Sequence, residues 1–300
     1  MIALLGDIMV DVIVKVDKYP VEGGEAICEK TSFRLGGSAC NTALLLSKMC
    51  KDVFLFSQIG KDNYGKIVNE KLRNSILNRK HILDKTENTG YMMIVVSENG
   101  QRTMFSSRID DPVPMNLSYY EQHLRNCDLI HISGYLLQDD RQWKIVREII
   151  DYSYKNGIKI SLDPGTSTVK HFKKRLCEVL KYTDIYMPNE YEIYLLTGEK
   201  EIDSGLMSMH KYTNGMVIGK CGESGCKYFN GKEIVSITPN CRKKVLSTVG
   251  AGDAFNAGFL SSYMKGCSLN KCCEEGNRIA VKIITSNDEI VNIEIDEQEE

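Results

Sequence analysis

The chain has 300 residues, 42% of them hydrophobic and 26% charged, an ordinary globular composition with enough apolar material to bury a large core. Its 38 basic and 40 acidic residues leave a net charge of −2, and no run of Lys or Arg gathers positive charge. That balance argues against nucleic acid as a partner and for small molecules.

The N-terminal stretch "IALLGD" (2–7) reads as a first core strand, since Asp7 and Asp11 interrupt it too early for a signal or a membrane span. Eleven cysteines without a CxxC pair, and without that leader, predict free thiols in a reducing cytoplasm and no zinc site. Residues 12–34 read as two strands about a turn, and so do residues 89–108, where "ENG" (98–100) is a hairpin signal. Together they predict a small β flap on the core. Such a flap covers a site, mediates homodimer contact through its edges, or is a simple edge hairpin.

Between and after these segments, "VFLFSQIG", "DLIHISG", "IKISLDPG", "DIYMPN" and "GMVIGKCG" read as strands, each ending in Gly, Asp, Asn or Pro. "NTALLLSKMC", "GKIVNEKLRNS", "RQWKIVREIIDYSYKN" and "VKHFKKRLCEVLKY" carry helical spacing. The alternation predicts an α/β fold: a doubly wound, mostly parallel sheet with helices on both faces, in a single domain over residues 1–300. Ligands in such sheets gather at the strands' carboxyl ends. "GKDNYGKI" (60–67) imitates a phosphate loop but has Ile67 where a metal-binding hydroxyl is needed, so it is read as a strand-to-helix turn. The "NLS" sequon at Asn116 is read as chance, and the acidic tail "EIDEQEE" as a solvated end.

Two glycine clusters carry chemistry. In "RLGGSACNTALLL" (34–46), Gly36 and Gly37 allow close backbone approach, and Asn41 heads a helix either as a cap or as a hydrogen-bonding partner for a hydroxylated ligand. In "STVGAGDAFNAGF" (247–259), Gly250 and Gly252 precede a helix whose small side, Ala254, Ala257, Gly258, Ser261 and Ser262, suits close approach to a sheet or ligand. Backbone N–H groups at that helix start form an anion site. Asp253 beside them is either a first-turn cap or a general base, and phosphoryl transfer needs such a pair.

"GGSACNTA", "PNEYE" and "STVGAGDAFNAGF", in this order and over essentially the whole chain, resemble the signatures of the ribokinase/PfkB family of carbohydrate kinases. The resemblance implies a ribokinase-like fold with a small β-sheet lid, and MgATP-dependent phosphorylation of a hydroxymethyl group on a sugar or nucleoside. It makes Asp253 the base and assigns the backbone of Gly250, Ala251 and Gly252 to the transferring phosphoryl group. Asp11, Gly36, Gly37 and Asn41 become acceptor-binding residues. Arg108, at the flap's end, either pairs with an anionic group of the acceptor or is solvated. Asn189 and Glu192 fit the family's NxxE element, with Glu192 acting on magnesium through water; their local reading is a capping pair. Lys220, Gly222, Gly225 and Asn277 fall to the nucleotide, although Lys220 also reads as a surface residue and stands where relatives carry Thr or Ser. Met9 and Ser38 depart from the ribose-binding pattern. Ser247 replaces an Asp tied to a monovalent-cation site, which makes potassium activation doubtful. A nucleoside kinase is the rival within the family, with Tyr91 and Phe105 available to reach a base from the lid; a kinase-like binding protein without turnover is the rival outside it.

Overall fold

Every residue of β1 (Ile2–Leu5) is buried in the computed structural model, which describes residues 1–98, 101–109, 111–241 and 243–295. Ile2 and Leu4 enter one core cluster and Ala3 and Leu5 another, as a strand covered on both faces requires. The chain forms β2 (Met9–Val16), β3 (Cys28–Gly36), α1 (Ser38–Ser47), β4 (Val53–Gly60), α2 (Asn63–Arg73) and β5 (Ile82–Thr86). Next come β6 (Gly90–Ser97), β7 (Arg102–Ser107), α3 (Leu117–Leu124), β8 (Leu129–Ser133), α4 (Asp140–Lys155), β9 (Lys159–Asp163), α5 (Thr166–His171) and α6 (Lys173–Leu180). It continues through β10 (Ile185–Tyr186), α7 (Glu190–Thr197), α8 (Ile202–Ser208), β11 (Met216–Lys220), β12 (Cys226–Phe229), β13 (Ile234–Ile237), α9 (Ala251–Met264) and α10 (Leu269–Ile284).

The large sheet has the order β13-β12-β11-β10-β9-β8-β1-β4-β5 and is parallel except for β12 and β13 at one edge. The chain leaves β1 toward β4 on one side and comes back at β8 on the other, so a topological switch point lies between β1 and β8. Helices α1, α9 and α10 cover one face, and α4, α6 and α7 the other.

The small sheet has the order β3-β2-β6-β7. It runs from Met9 rather than residue 12 and reaches Gly36 rather than residue 34, so its base includes the first glycine of the pair. Asn99 and Gly100 of the hairpin signal lie outside the described residues, as do residues 296–300 of the acidic tail.

All six predicted strands of the core are present, whereas β5, β12, β13, α3, α8 and α10 have no counterpart among the predicted elements. The segment read as one helix from Val169 is two, α5 and α6, broken at Phe172 (φ −127°, ψ 31°). Apolar spacing runs through this break because Val169 and Leu176 enter the same core. The false phosphate loop is a strand-to-helix turn, with Asp62 capping α2 by accepting from Gly65 N at 2.8 Å. Asn116 likewise caps α3.

Candidate active site

Asp7 after β1, Tyr135 after β8, Asp163 at the end of β9, Asn189 after β10 and Lys220 at the end of β11 all stand on the carboxyl edge of the large sheet, around the switch point. They line a cleft of about 470 Å³, roofed by Asp11, Met92, Ile94 and Met104 of the small sheet and bounded by the start of α9. Every predicted site residue lines it except Gly36, which lies directly behind Asp11.

Gly250 holds the N-cap of α9 in the left-handed region (φ 79°), and no side chain caps that helix. Asp253, in the first turn, turns its carboxylate away from its own helix: Oδ1 accepts from Ser38 Oγ at 2.7 Å and Oδ2 from Asn41 Nδ2 at 2.8 Å. The contrast with Asp62 sets the capping reading aside: Asp62 accepts from the Gly65 and Thr89 amides and the Thr89 hydroxyl, whereas Asp253 joins α9 to α1. Burial above all, with Asp163, raises the Asp253 carboxyl, and Asn41, Ser38 and Lys220 lower it, which together leave it at about 6. The Ala251 N–H donates to Thr248 O at 3.3 Å, leaving the Gly252 and Asp253 amides as first-turn donors without intrahelical partners.

At the acceptor end, a Cβ at Gly36 would fall on the Asp11 carboxylate, and one at Gly37 (φ 96°) on the Asp7 carbonyl. These two glycines therefore make room for acids. Burial and the facing Asp253 push Asp11 up to about 7, against the lowering effect of Arg34. Asn41, expected as cap or ligand partner, bonds Asp253 instead of capping α1. Arg108 is half-buried and paired: Nη1 donates to Asp7 Oδ2, and its guanidinium lies 4.1 Å from the Tyr135 ring centre. Tyr91 and Phe105 are on the face of the small sheet opposite Met92, Ile94 and Met104, so neither reaches the cleft from the lid.

At the other end, Asn189 and Glu192 form a reciprocal capping box on α7, with Asn189 N donating to Glu192 Oε2 at 2.8 Å and Glu192 N to Asn189 Oδ1 at 2.9 Å. Thr166 Oγ1 donates to the other Glu192 oxygen at 2.8 Å. Burial and the nearby Asp163 raise the Glu192 pKa. Lys220 is interior, not a surface residue: its Nζ lies 2.9 Å from Asp163 Oδ2 and 3.3 Å from Asn256 Oδ1, next to Gly252. Burial opposes ionisation of Asp163, but Lys220 and Asn256 outweigh it and hold the carboxyl below its usual range. Gly222 and Gly225 have positive φ, 54° and 85°, and a Cβ at Gly225 would strike the Ile237 carbonyl. Asn277 Nδ2 donates to that same carbonyl at 2.8 Å, which ties α10 to the end of β13 beside the cleft.

Sequence reasoning missed Asp7, Asp163 and Tyr135, which line the cleft, and Asn256, which bonds Lys220 and Asp163 behind it; Asp163 carried a signal, an acid before Pro-Gly at a strand's carboxyl end. The small side of α9 meets helices, not the sheet, with Gly258 against the backbone of α10. Ser247 is linked to the small sheet, accepting from Arg102 Nη2 at 3.4 Å. Among the described residues no cluster of three metal-ligating side chains occurs, and no helix is long and apolar enough to cross a membrane.

The sequence profile of the pfkB family carbohydrate kinases matches residues 1–295. The chain belongs to this family. As a pfkB protein it is 29% identical over 254 residues to an uncharacterized sugar kinase of Archaeoglobus fulgidus, covering 80% of this chain and 94% of the relative. It is 26% identical over 282 residues to the 2-dehydro-3-deoxygluconokinase of Haemophilus influenzae, covering 86% and 88%. The structure of Arabidopsis thaliana ribokinase complexed with ribose and ATP superposes with a TM-score of 0.79 at 20% identity, covering 96% of this chain and 94% of that one, a likeness of fold. PfkB members are phosphotransferases with an alcohol acceptor, and the ribokinase-like architecture expected from the three motifs is the one found.

Proposed function

We propose that this chain is an ATP-dependent kinase that phosphorylates a hydroxymethyl group of a small sugar or sugar derivative, with residues 1–300 acting as one domain and the small sheet as its lid. The observation that carries the reading is the orientation of Asp253: a buried carboxylate, held by Ser38 and Asn41, beside first-turn amides that no side chain caps. As the acceptor hydroxyl oxygen bonds to the γ-phosphorus of ATP, its proton passes to Asp253, and the bond from that phosphorus to the β,γ-bridging oxygen breaks to release ADP. The amides of Gly250, Ala251 and Gly252 face the transferring group and stabilise its charge; Gly252 is freer to do so than Ala251, which already donates to Thr248.

Asp11, Asn41 and Arg108, with Gly36 and Gly37 shaping the wall, surround the acceptor. Gly222, Gly225, Asn189 and Asn277 shape the nucleotide side, and Lys220 lays its ammonium beside Gly252. The oxygen chemistry at this end fits magnesium, which would neutralise phosphate charge between the two substrates. Both Glu192 oxygens are already engaged, so Glu192 would hold the ion through water. Eleven free thiols suit a reducing cytoplasm. The lid's outer face exposes Phe33, Met93 and Phe105, aligned across the strands through the buried Val12, which supports a homodimer through the lid.

The decisive experiment is Asp253→Asn in an assay coupled to ADP release. The variant should stay folded and bind nucleotide while turnover falls about a thousandfold or more; near-normal turnover would sink the mechanism. A nucleoside kinase is the second reading, favoured by the apolar roof of Met92, Ile94 and Met104, against which a base can lie. A panel of sugars and nucleosides separates the two.

A further inference from the structure

We propose that Asp7 sets the charge specificity of the acceptor site: by neutralising Arg108 it reserves the site for uncharged, hydroxyl-rich acceptors and turns away phosphorylated sugars and sugar acids. The inference rests on the kinase reading and names the class of acceptor within it.

Arg108 and Lys220 are the only cations among the described residues lining the cleft, against five carboxylates, Asp7, Asp11, Asp163, Glu192 and Asp253. Each cation is already paired with a carboxylate, so neither adds net positive charge to the cleft. The Arg108 guanidinium is bound to Asp7, whose side chain is 5% exposed, and lies over the Tyr135 ring. Lys220 is bound to Asp163 and Asn256 at the opposite end. Arg34, just outside the lining, stands opposite Asp11 across β2 and β3 and acts on that carboxylate. An anionic acceptor that reached Arg108 would have to share it with the buried Asp7 carboxylate and lie beside that like charge, in a cleft where carboxylates outnumber cations.

Two buried acceptor atoms show what the site takes instead. Asp7 Oδ1 and Asn41 Oδ1 have no donor among the described protein groups. Buried oxygens of this kind need donors, and sugar hydroxyls supply them, whereas phosphate and carboxylate oxygens do not. Asp7 thus acts twice, with one oxygen silencing Arg108 and the other open to a hydroxyl.

Initial rates with ATP on the full chain test this, using ribose, fructose and adenosine as neutral acceptors and fructose 6-phosphate and 2-keto-3-deoxygluconate as anionic ones. The wild-type protein should favour its best neutral acceptor over either anionic one by at least about a hundredfold in kcat/KM. Asp7→Asn removes the charge with little change in shape and frees Arg108, so the anionic-to-neutral ratio should rise at least about tenfold. Arg108→Met combined with Asp7→Asn should abolish that gain, which separates a charge effect from loosened packing. Wild-type preference for an anionic acceptor overturns the assignment and needs no variant, so it stands even if Asp7→Asn fails to fold. An unchanged ratio in folded Asp7→Asn overturns it as well, and in both cases the kinase reading survives. Absence of ATP turnover with every acceptor in the panel, together with full ATP binding, overturns the kinase reading and this inference with it.

Discussion

In the proposed mechanism, the protonation of Asp253 decides whether the acceptor hydroxyl can lose a proton. Its carboxyl is raised from 3.8 to about 6, by burial first and by Asp163 after that, so the folded protein holds this proton through a range in which an unfolded chain has lost it. A base must be ionised to act. kcat/KM should therefore climb about tenfold per pH unit below a break near 6 and level off above it. A profile measured from pH 4.5 to 8 checks this, and a flat line between pH 5 and 6.5 would exclude Asp253 as the titrating base. Asp11, raised to about 7, adds a second ionisation at the acceptor end. Much of this residue-level picture is readable from glycines and acids in sequence, because "GAGD" and "GGSACN" carry their own local geometry. Asp7 and Asp163 are not readable in the same way. Each is an unremarkable acid at a strand end until the switch point brings it against Arg108 or Lys220, partners 101 and 57 positions away along the chain.

Among the elements, α9 and α10 determine where the amide donors and Asn277 stand. They meet backbone to backbone: a Cβ at Gly258 would lie 2.5 Å from Glu275 O and 3.0 Å from Gly276 Cα. Gly258→Ala therefore sets a helix-propensity gain of about 1 kcal/mol against overpacking of about 1–3 kcal/mol. Overpacking should win, because the obstacles are backbone atoms and not flexible side-chain ends. The expected outcome is a loss of stability of about 1 kcal/mol or more, seen in urea unfolding as a lower midpoint with unchanged slope. The helix α9 is legible from its small residues, but the surface they approach is not, because small spacing is equally suited to a sheet. The helix α10 escaped detection although its apolar residues have helical spacing; with Asn277 in its middle, its role depends on a carbonyl of β13, an element too short to announce itself. The break at Phe172 was invisible for a different reason, since both α5 and α6 face the same core.

For the whole molecule, the alternation of strand and helix was enough to specify the six contiguous strands from β11 to β4 of the large sheet but not its edge strands β5, β12 and β13, and the two departures from it were enough to specify the small sheet. What periodicity could not give was the direction in which the small sheet's faces point. Register now settles this: Asp11, Met92, Ile94 and Met104 look into the cleft, while Phe33, Met93 and Phe105 look outward, 41%, 38% and 51% exposed. That outward row is large and apolar for a free surface. Phe105→Asp at its edge should convert a dimer into a folded monomer, read by light scattering at micromolar concentration. A monomeric wild-type protein would end the dimer proposal. The division of labour between the sheets has a consequence for descent. On the proposed function, phosphate handling falls to the edge of the large sheet and to α9, whereas part of the acceptor wall, Asp11, Met92, Ile94 and Met104, hangs on the four strands of the small sheet. Those strands can be redrawn by mutation without touching the phosphate machinery, so a lineage of such chains can change its diet while keeping its chemistry.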